Sequence, residues 1–278
     1  MRFAIKTAPQ HTTWADMLAV WRAADEIELF ESGWNFDHFY PIGSYDSSGP
    51  CLEGWSMLAA LAQATKRLRL GTLVTGIHYR HPAVLANMAA TIDIVSGGRL
   101  EIGLGAGWNE EESGAYGIEL GSPKERSDRL EEACQVIISL FSNETTTFAG
   151  EHYKLDSARL EPKGLQRPHP PICIGGSGEK RTLRTAARYA QHWNFVGGSP
   201  EDLRHKLELL ESHCAAVGRD PSEILVSSHV EFDGEPGRTA ELAASLAEAG
   251  AELGIIQLRP PHDPAVLEPL AERLSEVR

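Results

Sequence analysis

The sequence of 278 residues has no long apolar run and no leader-like amino terminus. No stretch approaches the roughly 18 uninterrupted apolar residues that indicate a membrane-spanning helix. Met1-Arg2-Phe3-Ala4-Ile5-Lys6 runs directly into a predicted strand, without the apolar core of a secretory signal peptide. The sequence therefore predicts a cytoplasmic protein that has no membrane partner.

Paired cysteines and positive charge are also scarce. Cys51, Cys134, Cys173 and Cys214 form no CxxC pair and no metal-ligand spacing, so neither a metal site nor a cysteine nucleophile is predicted. The chain has 26 Lys and Arg against 39 Asp and Glu, a net charge of −13. This charge disfavours a nucleic-acid or anionic-membrane surface, since phosphate backbones are bound by basic patches. A small-molecule partner fits the composition better.

The chain does contain a clear strand-helix-strand unit. Leu68–Val74 and Leu100–Leu104 are short apolar runs, typical of strands that are buried on both faces of a parallel sheet. Between them, Pro82–Val95 carries apolar residues at helical spacing and ends at Ser96-Gly97-Gly98, a helix-stop signal. Glycine-rich loops follow both strands. Ligands of α/β folds bind at that edge of the sheet.

The rest of the chain repeats this alternation. The predicted strands are Phe3–Ala8, Trp34–Phe36, Leu68–Val74, Leu100–Leu104, Ile172–Ile174, His192–Val196, Ile224–Phe232 and Gly254–Leu258. A helix is predicted after each strand, and the segment 145–163 reads as a small β-hairpin inserted after the fourth helix. This pattern, in a chain of about 250 residues or more, indicates an α/β fold of the (β/α)8 TIM-barrel class, with a single domain over residues 1–278.

In such a barrel, the residues that follow the strands converge on one mouth. His38 is the histidine predicted at a strand's carboxyl end, next to Asp37, a carboxylate that could orient it. An imidazole titrates near neutrality, so His38 suits a general acid or base. A strand-end histidine hydrogen-bonded to the backbone is the alternative. Glu110-Glu111-Glu112 is most simply a solvated acidic run near a helix start.

Two glycine-rich loops invite a ligand. Gly175-Gly176-Ser177-Gly178 leads into a helix predicted to begin at Glu179, and it would offer free N–H groups and a helix dipole to a phosphate. A glycine-rich corner that binds nothing is the alternative. Gly103–Gly107 suggests a dinucleotide site, but its glycine spacing departs from GxGxxG and no matching acidic residue ends the next strand. A Rossmann domain is therefore not predicted.

Several motifs are recognisable in combination. They are Trp34-Asn35-Phe36-Asp37-His38-Phe39, Leu70-Gly71-Thr72-Leu73-Val74-Thr75-Gly76, Tyr79-Arg80-His81-Pro82, Ser96-Gly97-Gly98-Arg99-Leu100, Gly103-Leu104-Gly105-Ala106-Gly107-Trp108-Asn109-Glu110-Glu111-Glu112 and Pro170-Pro171-Ile172-Cys173-Ile174-Gly175-Gly176. Together they resemble the luciferase-like monooxygenase superfamily, and most closely its branch of oxidoreductases that use the deazaflavin coenzyme F420. The part after about Gly197 is similar only in pattern.

The resemblance implies a coenzyme ring in the barrel mouth, against a bulge that contains a non-prolyl cis peptide at Leu73-Val74 or Val74-Thr75. It also makes His38, of the Asp37-His38 pair, the general acid/base. The further residues implicated are Gly107, Trp108 and Asn109 beside the ring, Gly175, Gly176, Ser177 and Gly178 at the coenzyme phosphate, Asn194 and Gln10 as additional coenzyme contacts, and Glu53 and Ile42 on the substrate side.

Two departures from the family pattern limit what is implied. Tyr40-Pro41-Ile42 stands where the sugar-phosphate dehydrogenases of this branch have a tryptophan, so that substrate is not carried over. Gln191-His192-Trp193-Asn194 replaces the Asp-Gly-Trp-Asn of many relatives, which puts contacts from that turn in doubt.

The leading hypothesis is an F420-dependent oxidoreductase, a homodimer as is common in the family, that transfers a hydride between the deazaflavin and a small organic substrate. One alternative is an FMN-dependent two-component monooxygenase on the same fold. The other is a barrel that binds the coenzyme without catalysis.

Overall fold

Eight parallel strands form a closed barrel in the computed structural model, which describes residues 1–277. The strands of the chain are β1 (Arg2–Thr7), β2 (Phe30–Asp37), β3 (Arg69–Gly76), β4 (Leu100–Gly105), β5 (Thr146–Ala149), β6 (Lys154–Ala158), β7 (Ile172–Gly175), β8 (His192–Phe195), β9 (Leu225–Glu231) and β10 (Leu253–Leu258). All but β5 and β6 belong to the barrel, in the order β1-β10-β9-β8-β7-β4-β3-β2. The predicted (β/α)8 TIM barrel is confirmed.

Helices surround the barrel. They are α1 (Trp14–Glu26), α2 (Gly54–Ala64), α3 (Pro82–Ser96), α4 (Glu110–Ala115), α5 (Pro123–Ser142), α6 (Thr182–Tyr189), α7 (Pro200–Val217), α8 (Pro236–Glu248) and α9 (Leu267–Leu274), with short 3-10 turns at Pro221–Glu223 and Pro264–Val266. Capping boxes at Thr13, Ser122 and Ser199 fix the starts of α1, α5 and α7. No helix within residues 1–277 is long and apolar enough to cross a membrane.

Strands β5 and β6 form the inserted hairpin, as predicted from the turn residues between them. They pair antiparallel and lie outside the barrel sheet. Glu132 of α5 accepts hydrogen bonds from the backbone N–H groups of Glu151, His152 and Tyr153. These bonds hold the hairpin turn against the helix that precedes it.

The helices differ from the predictions in several places. The helix after β7 begins at Thr182 instead of Glu179, because residues 179–181 form a turn. Helix α4 was not predicted; it begins where the Asn109 side chain accepts a hydrogen bond from the N–H of Glu112. The helix predicted after the last strand divides into the 3-10 turn Pro264–Val266 and α9.

Side chains alternate between the two faces of each barrel strand, as the pleat requires. An inner cluster, Ala4, Trp34, Leu73, Cys173, Leu253 and Ile255, fills the barrel, and a larger cluster packs the outer strand faces against the helices. Two residues beyond Ala4, Trp34 and Ile255 on their strands come Lys6, Phe36 and Gln257. These side chains form the layer above the inner cluster and line the barrel mouth.

Candidate active site

A cavity of about 500 Å³ lies at the carboxyl ends of the barrel strands. Every barrel strand contributes to its lining: Lys6 from β1, Phe36 from β2, Leu73, Val74 and Gly76 from β3, Gly105 from β4, Gly175 from β7, Asn194 from β8, His229 from β9 and Gln257 from β10. The loops add His38, Ile42, Tyr79, Gly107 and Trp108, among others, and α6 adds Thr182. The predicted convergence of strand ends on one mouth is therefore observed.

One side of the cavity is a low wall that we call the glycine wall, formed by Val74 with Gly76, Gly105 and Gly175. A Cβ atom at Gly105 would lie 2.5 Å from Val74 Cγ2, and one at Gly175 would lie 2.8 Å from Val74 Cγ1. Only glycine admits the valine side chain at these two positions. A cis peptide joins Leu73 to Val74, at one of the two bonds that the family resemblance implied.

The opposite side is a polar floor, formed by Lys6, Asn194, His229 and Gln257. These four residues come from β1, β8, β9 and β10, which are consecutive around the barrel. The cavity thus has an almost side-chain-free wall facing a set of hydrogen-bonding groups. A flat, mostly apolar molecule fits the wall, and polar substituents fit the floor.

His38 lies at the edge of this cavity and is held by a buried carboxylate. Its Nδ1 is 2.5 Å from Oε1 of Glu112, which is 0% exposed. The Tyr79 hydroxyl donates to the same oxygen, and the Phe39 N–H donates to Oε2 at 2.8 Å. Burial alone would raise the pKa of Glu112, but the hydrogen bonds from His38 and Tyr79 hold that pKa below its ordinary value.

The contact with Glu112 determines which nitrogen of His38 can react. An ionised carboxylate only accepts hydrogen bonds, so Nδ1 of His38 carries the proton that is shared with Glu112. Within residues 1–277, no hydrogen-bond partner contacts Nε2. The imidazole is 8% exposed and lines the cavity, so Nε2 is the nitrogen available to a ligand.

Two expectations about acidic residues were wrong. Glu112 is not solvated, because α4 turns its side chain under the loops that follow β2 and β3. Asp37 does not orient His38, because adjacent residues at a strand end point in opposite directions. Asp37 is instead buried and accepts two hydrogen bonds from Arg80, at 2.5 and 3.1 Å.

Arg80 also explains the position of Glu53, which was expected on the substrate side. The Glu53 carboxylate accepts from Arg80 Nη2 at 2.5 Å and caps α2 through the N–H groups of Trp55 and Ser56. Glu53 does not line the cavity. The Asp37-Arg80-Glu53 cluster therefore fixes the loop after β3 to the start of α2.

The residues predicted near the ring occupy different positions. Trp108 lines the cavity, is 58% exposed and stands edge-on to His38, with 5.5 Å between ring centroids. Asn109 instead caps α4 and lies outside the lining. Thr75 is buried and accepts a hydrogen bond from Trp55 Nε1 at 2.7 Å, so its hydroxyl is already engaged. Of Leu73, Val74 and Thr75, only the first two line the cavity.

Gln10 and Ile42 are brought together beside the mouth. The Gln10 amide accepts from the N–H of Ile42 at 2.7 Å and donates to its carbonyl at 3.3 Å. Gln10 thereby fixes the loop after β2, and Ile42 lines the cavity. Gln10 itself lines a second cavity next to the first.

The glycine turn after β7 reaches the cavity through Gly175 and Gly176, together with Thr182 at the start of α6. No side chain caps the first turn of α6, since Arg181 at the cap position has only hydrogen-bond donors, and its guanidinium pairs with Asp128. The Ser177 hydroxyl oxygen is buried and has no hydrogen-bond partner within residues 1–277. Gly178 is exposed. An uncapped helix start beside an unpartnered hydroxyl suits an anionic group such as a phosphate.

The sequence prediction missed Lys6, Glu112, His229 and Gln257 as site residues. Lys6 had a usable signal, because it is the charged residue within the mostly apolar strand Phe3–Ala8 and sits at an inward position of the alternation. No cluster of metal-ligating side chains occurs among the described residues.

The family profile of the luciferase-like monooxygenases matches residues 1–256. The chain belongs to this family. An F420-dependent glucose-6-phosphate dehydrogenase of Kineococcus radiotolerans is 31% identical over 92% of this chain and 75% of its own length. An FMNH(2)-dependent dimethylsulfone monooxygenase of Pseudomonas putida is 31% identical over 72% of this chain and 54% of its own length.

Some curated relatives are matched over less than two thirds of their own length. The match to an uncharacterized protein of Mycobacterium tuberculosis is 32% identical and spans 65% of this chain, but only 62% of that protein. Among solved structures, an F420-dependent secondary alcohol dehydrogenase in complex with an F420-acetone adduct superposes with a TM-score of 0.89 and 22% identity, and the match covers 100% and 99% of the two chains. This likeness establishes the luciferase-like fold of the barrel.

The buried carboxylate at the centre of the site should contribute to stability in a pH-dependent way. Replacing Glu112 by Gln should lower the free energy of unfolding by about 2 kcal/mol at pH 7, since hydrogen bonds to charged groups contribute more than neutral ones. The pKa of Glu112 is lowered from an ordinary value of 4.5 in the folded protein, so this contribution is present above about pH 4.5 and declines as the pH falls through the folded pKa.

Urea unfolding of the native protein and the Glu112→Gln variant, each across this pH range, measures the difference. The two stabilities should converge in acid. Glu111→Gln, at the exposed neighbouring position, is the matched control and should unfold like the native protein throughout. A stability difference that stays constant or grows in acid would contradict the assignment.

Proposed function

We propose that this protein is a coenzyme F420-dependent oxidoreductase that transfers a hydride between the deazaflavin and a small organic substrate, with His38 as general acid/base. The observation that carries the proposal is an imidazole at the cavity edge whose Nδ1 is held by the buried Glu112 and whose Nε2 is unpartnered within residues 1–277. Relatives named as F420-dependent dehydrogenases support the choice of coenzyme.

The residues of the mouth fit such a coenzyme. The glycine wall leaves a flat surface on which a tricyclic ring can lie, with Trp108 at its edge. Gly175, Gly176, Ser177 and Thr182 would hold the phosphate at the uncapped start of α6. When bound, the deazaflavin supplies the ring carbon that accepts or releases the hydride.

The role of His38 follows from the balance of the reaction. An alcohol-type substrate that gives up a hydride must also give up a proton, and Nε2 of neutral His38 can accept it. Glu112 then stabilises the imidazolium, since the carboxylate is already within hydrogen-bond distance of Nδ1. In the reverse direction the imidazolium donates the same proton. Ile42 and Trp108 would border the substrate.

Removing the imidazole should slow the chemical step while leaving coenzyme binding intact. Replacing His38 by Ala should reduce turnover by about a hundredfold or more, because general acid–base catalysis contributes about 10² to 10⁴. Turnover is followed through the coenzyme's visible absorbance with a panel of alcohols and carbonyl compounds. His205→Ala, on the exposed surface of α7, is the control and should behave like the native enzyme. Unchanged turnover in the His38 variant would remove this residue from the mechanism.

A reduced-FMN-dependent monooxygenase is the second candidate, favoured by the similarity to the Pseudomonas putida enzyme. Titration of the purified protein with each coenzyme, followed by tryptophan fluorescence, separates the two candidates. We expect saturable binding of F420 at micromolar concentrations and much weaker binding of FMN, because two relatives matched over 92% and 99% of this chain are named F420-dependent. Micromolar affinity for FMN with none for F420 would reverse the assignment.

The other expectations remain predictions. A barrel that binds the coenzyme without catalysis would show coenzyme affinity but no turnover with any substrate. A homodimer and a cytoplasmic location remain sequence-based predictions.

A further inference from the structure

Lys6 is the charged residue of the polar floor, and its charge has no counterion. Its Nζ lies 3.5 Å from Nε2 of His229, and no carboxylate within residues 1–277 comes within ion-pair distance. An ammonium group carries three N–H donors, so the single contact with His229 leaves two of them without an acceptor. Lys6 lines the cavity at this point.

The neighbours of Lys6 cannot neutralise it. Burial, together with the adjacent Lys6, lowers the pKa of His229 well below its ordinary value, so this imidazole is neutral at physiological pH. Gln257, which pairs with Lys6 in the strand register between β1 and β10, is uncharged. Burial lowers the pKa of Lys6 to about 8, which still leaves the amine mostly protonated at neutral pH. An unpaired cation in a buried environment raises the free energy of the folded protein unless a ligand compensates the charge.

Lys6 also stands where two cavities meet. A second cavity, of about 550 Å³, shares Lys6, Phe36, Ile42 and Gln257 with the first. Its other lining residues lie on the loops after β1, β2, β9 and β10 and at the ends of β9 and β10, where Glu231 and Leu258 are. A molecule entering through these loops would reach Lys6 from the side opposite the glycine wall. Lys6 therefore lies between the glycine wall, on which the coenzyme is proposed to bind, and the second cavity.

We propose that Lys6, held by His229 and assisted by Gln257, binds a carboxylate group of the substrate, so that the enzyme acts on a small organic acid. The substrate assignment rests on the proposed function; the anion site itself does not. One cation with the neutral amide of Gln257 matches the single negative charge of a carboxylate. A phosphate dianion carries one more negative charge than Lys6 can compensate. The other cation that lines the second cavity is Arg259, which is exposed, as is Glu231, a carboxylate of the same lining.

The test measures binding of small carboxylates rather than activity. Acetate, pyruvate and benzoate, with methyl pyruvate and inorganic phosphate for comparison, are titrated into the full-length protein by NMR or calorimetry, with and without coenzyme. We expect at least one carboxylate to bind saturably, and at least tenfold more weakly to Lys6→Met. Lys6→Arg should bind more tightly than Lys6→Met because it keeps the charge. Methyl pyruvate, which lacks the charge, should not distinguish the variants.

Two further readouts separate an anion site from a merely structural lysine. Carboxylate affinity should be constant from pH 6 to 7 and should fall above about pH 8, as the free amine of Lys6 loses its proton. Lys6→Met should melt at a higher temperature than the native protein at pH 7, since the variant no longer buries an uncompensated charge. Lys154→Met, on the exposed hairpin, is the control and should change neither result.

Three outcomes would overturn the proposal. The first is the absence of any saturable carboxylate binding that depends on Lys6. The second is phosphate binding that depends on Lys6 and is tighter than carboxylate binding. The third is a Lys6→Met variant that loses affinity for F420 tenfold while its carboxylate affinity is unchanged, which would assign Lys6 to the coenzyme. Failure of the native protein to bind F420 would instead contradict the proposed function, but it would not affect the conclusion that Lys6 binds a carboxylate.

Discussion

The contact between His38 and the buried Glu112 is the interaction on which the site depends. Glu112 lies on α4, which follows β4, and its carboxylate accepts hydrogen bonds from residues on the loops after β2 and β3. One carboxylate therefore ties three loops of the barrel mouth together. Because the carboxylate only accepts, it also fixes the ring nitrogen that His38 offers to a ligand. The same interaction thus orders the loops and defines the chemistry.

The barrel interior adds a second constraint, an asymmetry between its two halves. Strands β3, β4 and β7 form the glycine wall, where Gly105 and Gly175 make room for Val74. Strands β8, β9, β10 and β1 form the polar floor. A planar coenzyme and a polar substrate group can therefore occupy opposite sides of one cavity, with His38 at its edge. The fold brings all strand ends to one cavity, and the residue types at those ends determine which side suits the coenzyme and which side suits a polar substrate group.

The fold and the position of His38 could be predicted from the sequence because both depend on local sequence patterns. Apolar runs and helix signals gave the barrel and the hairpin, and the strand-end position placed His38 at the mouth. The role of Glu112 could not be predicted, because in sequence it is one of three equivalent glutamates and only the packing of α4 under two distant loops buries the third. The prediction that Asp37 orients His38 was wrong for a related reason, since adjacency in sequence does not place two side chains on the same side of a strand.

The tautomer of His38 tests the role of Glu112 most directly, and ¹⁵N NMR of the imidazole nitrogens in the uncomplexed protein measures it. We expect neutral His38 to carry its proton on Nδ1 and to have an unprotonated Nε2, since Glu112 accepts from Nδ1. A neutral imidazole protonated on Nε2, with Nδ1 bare beside Glu112, would contradict it.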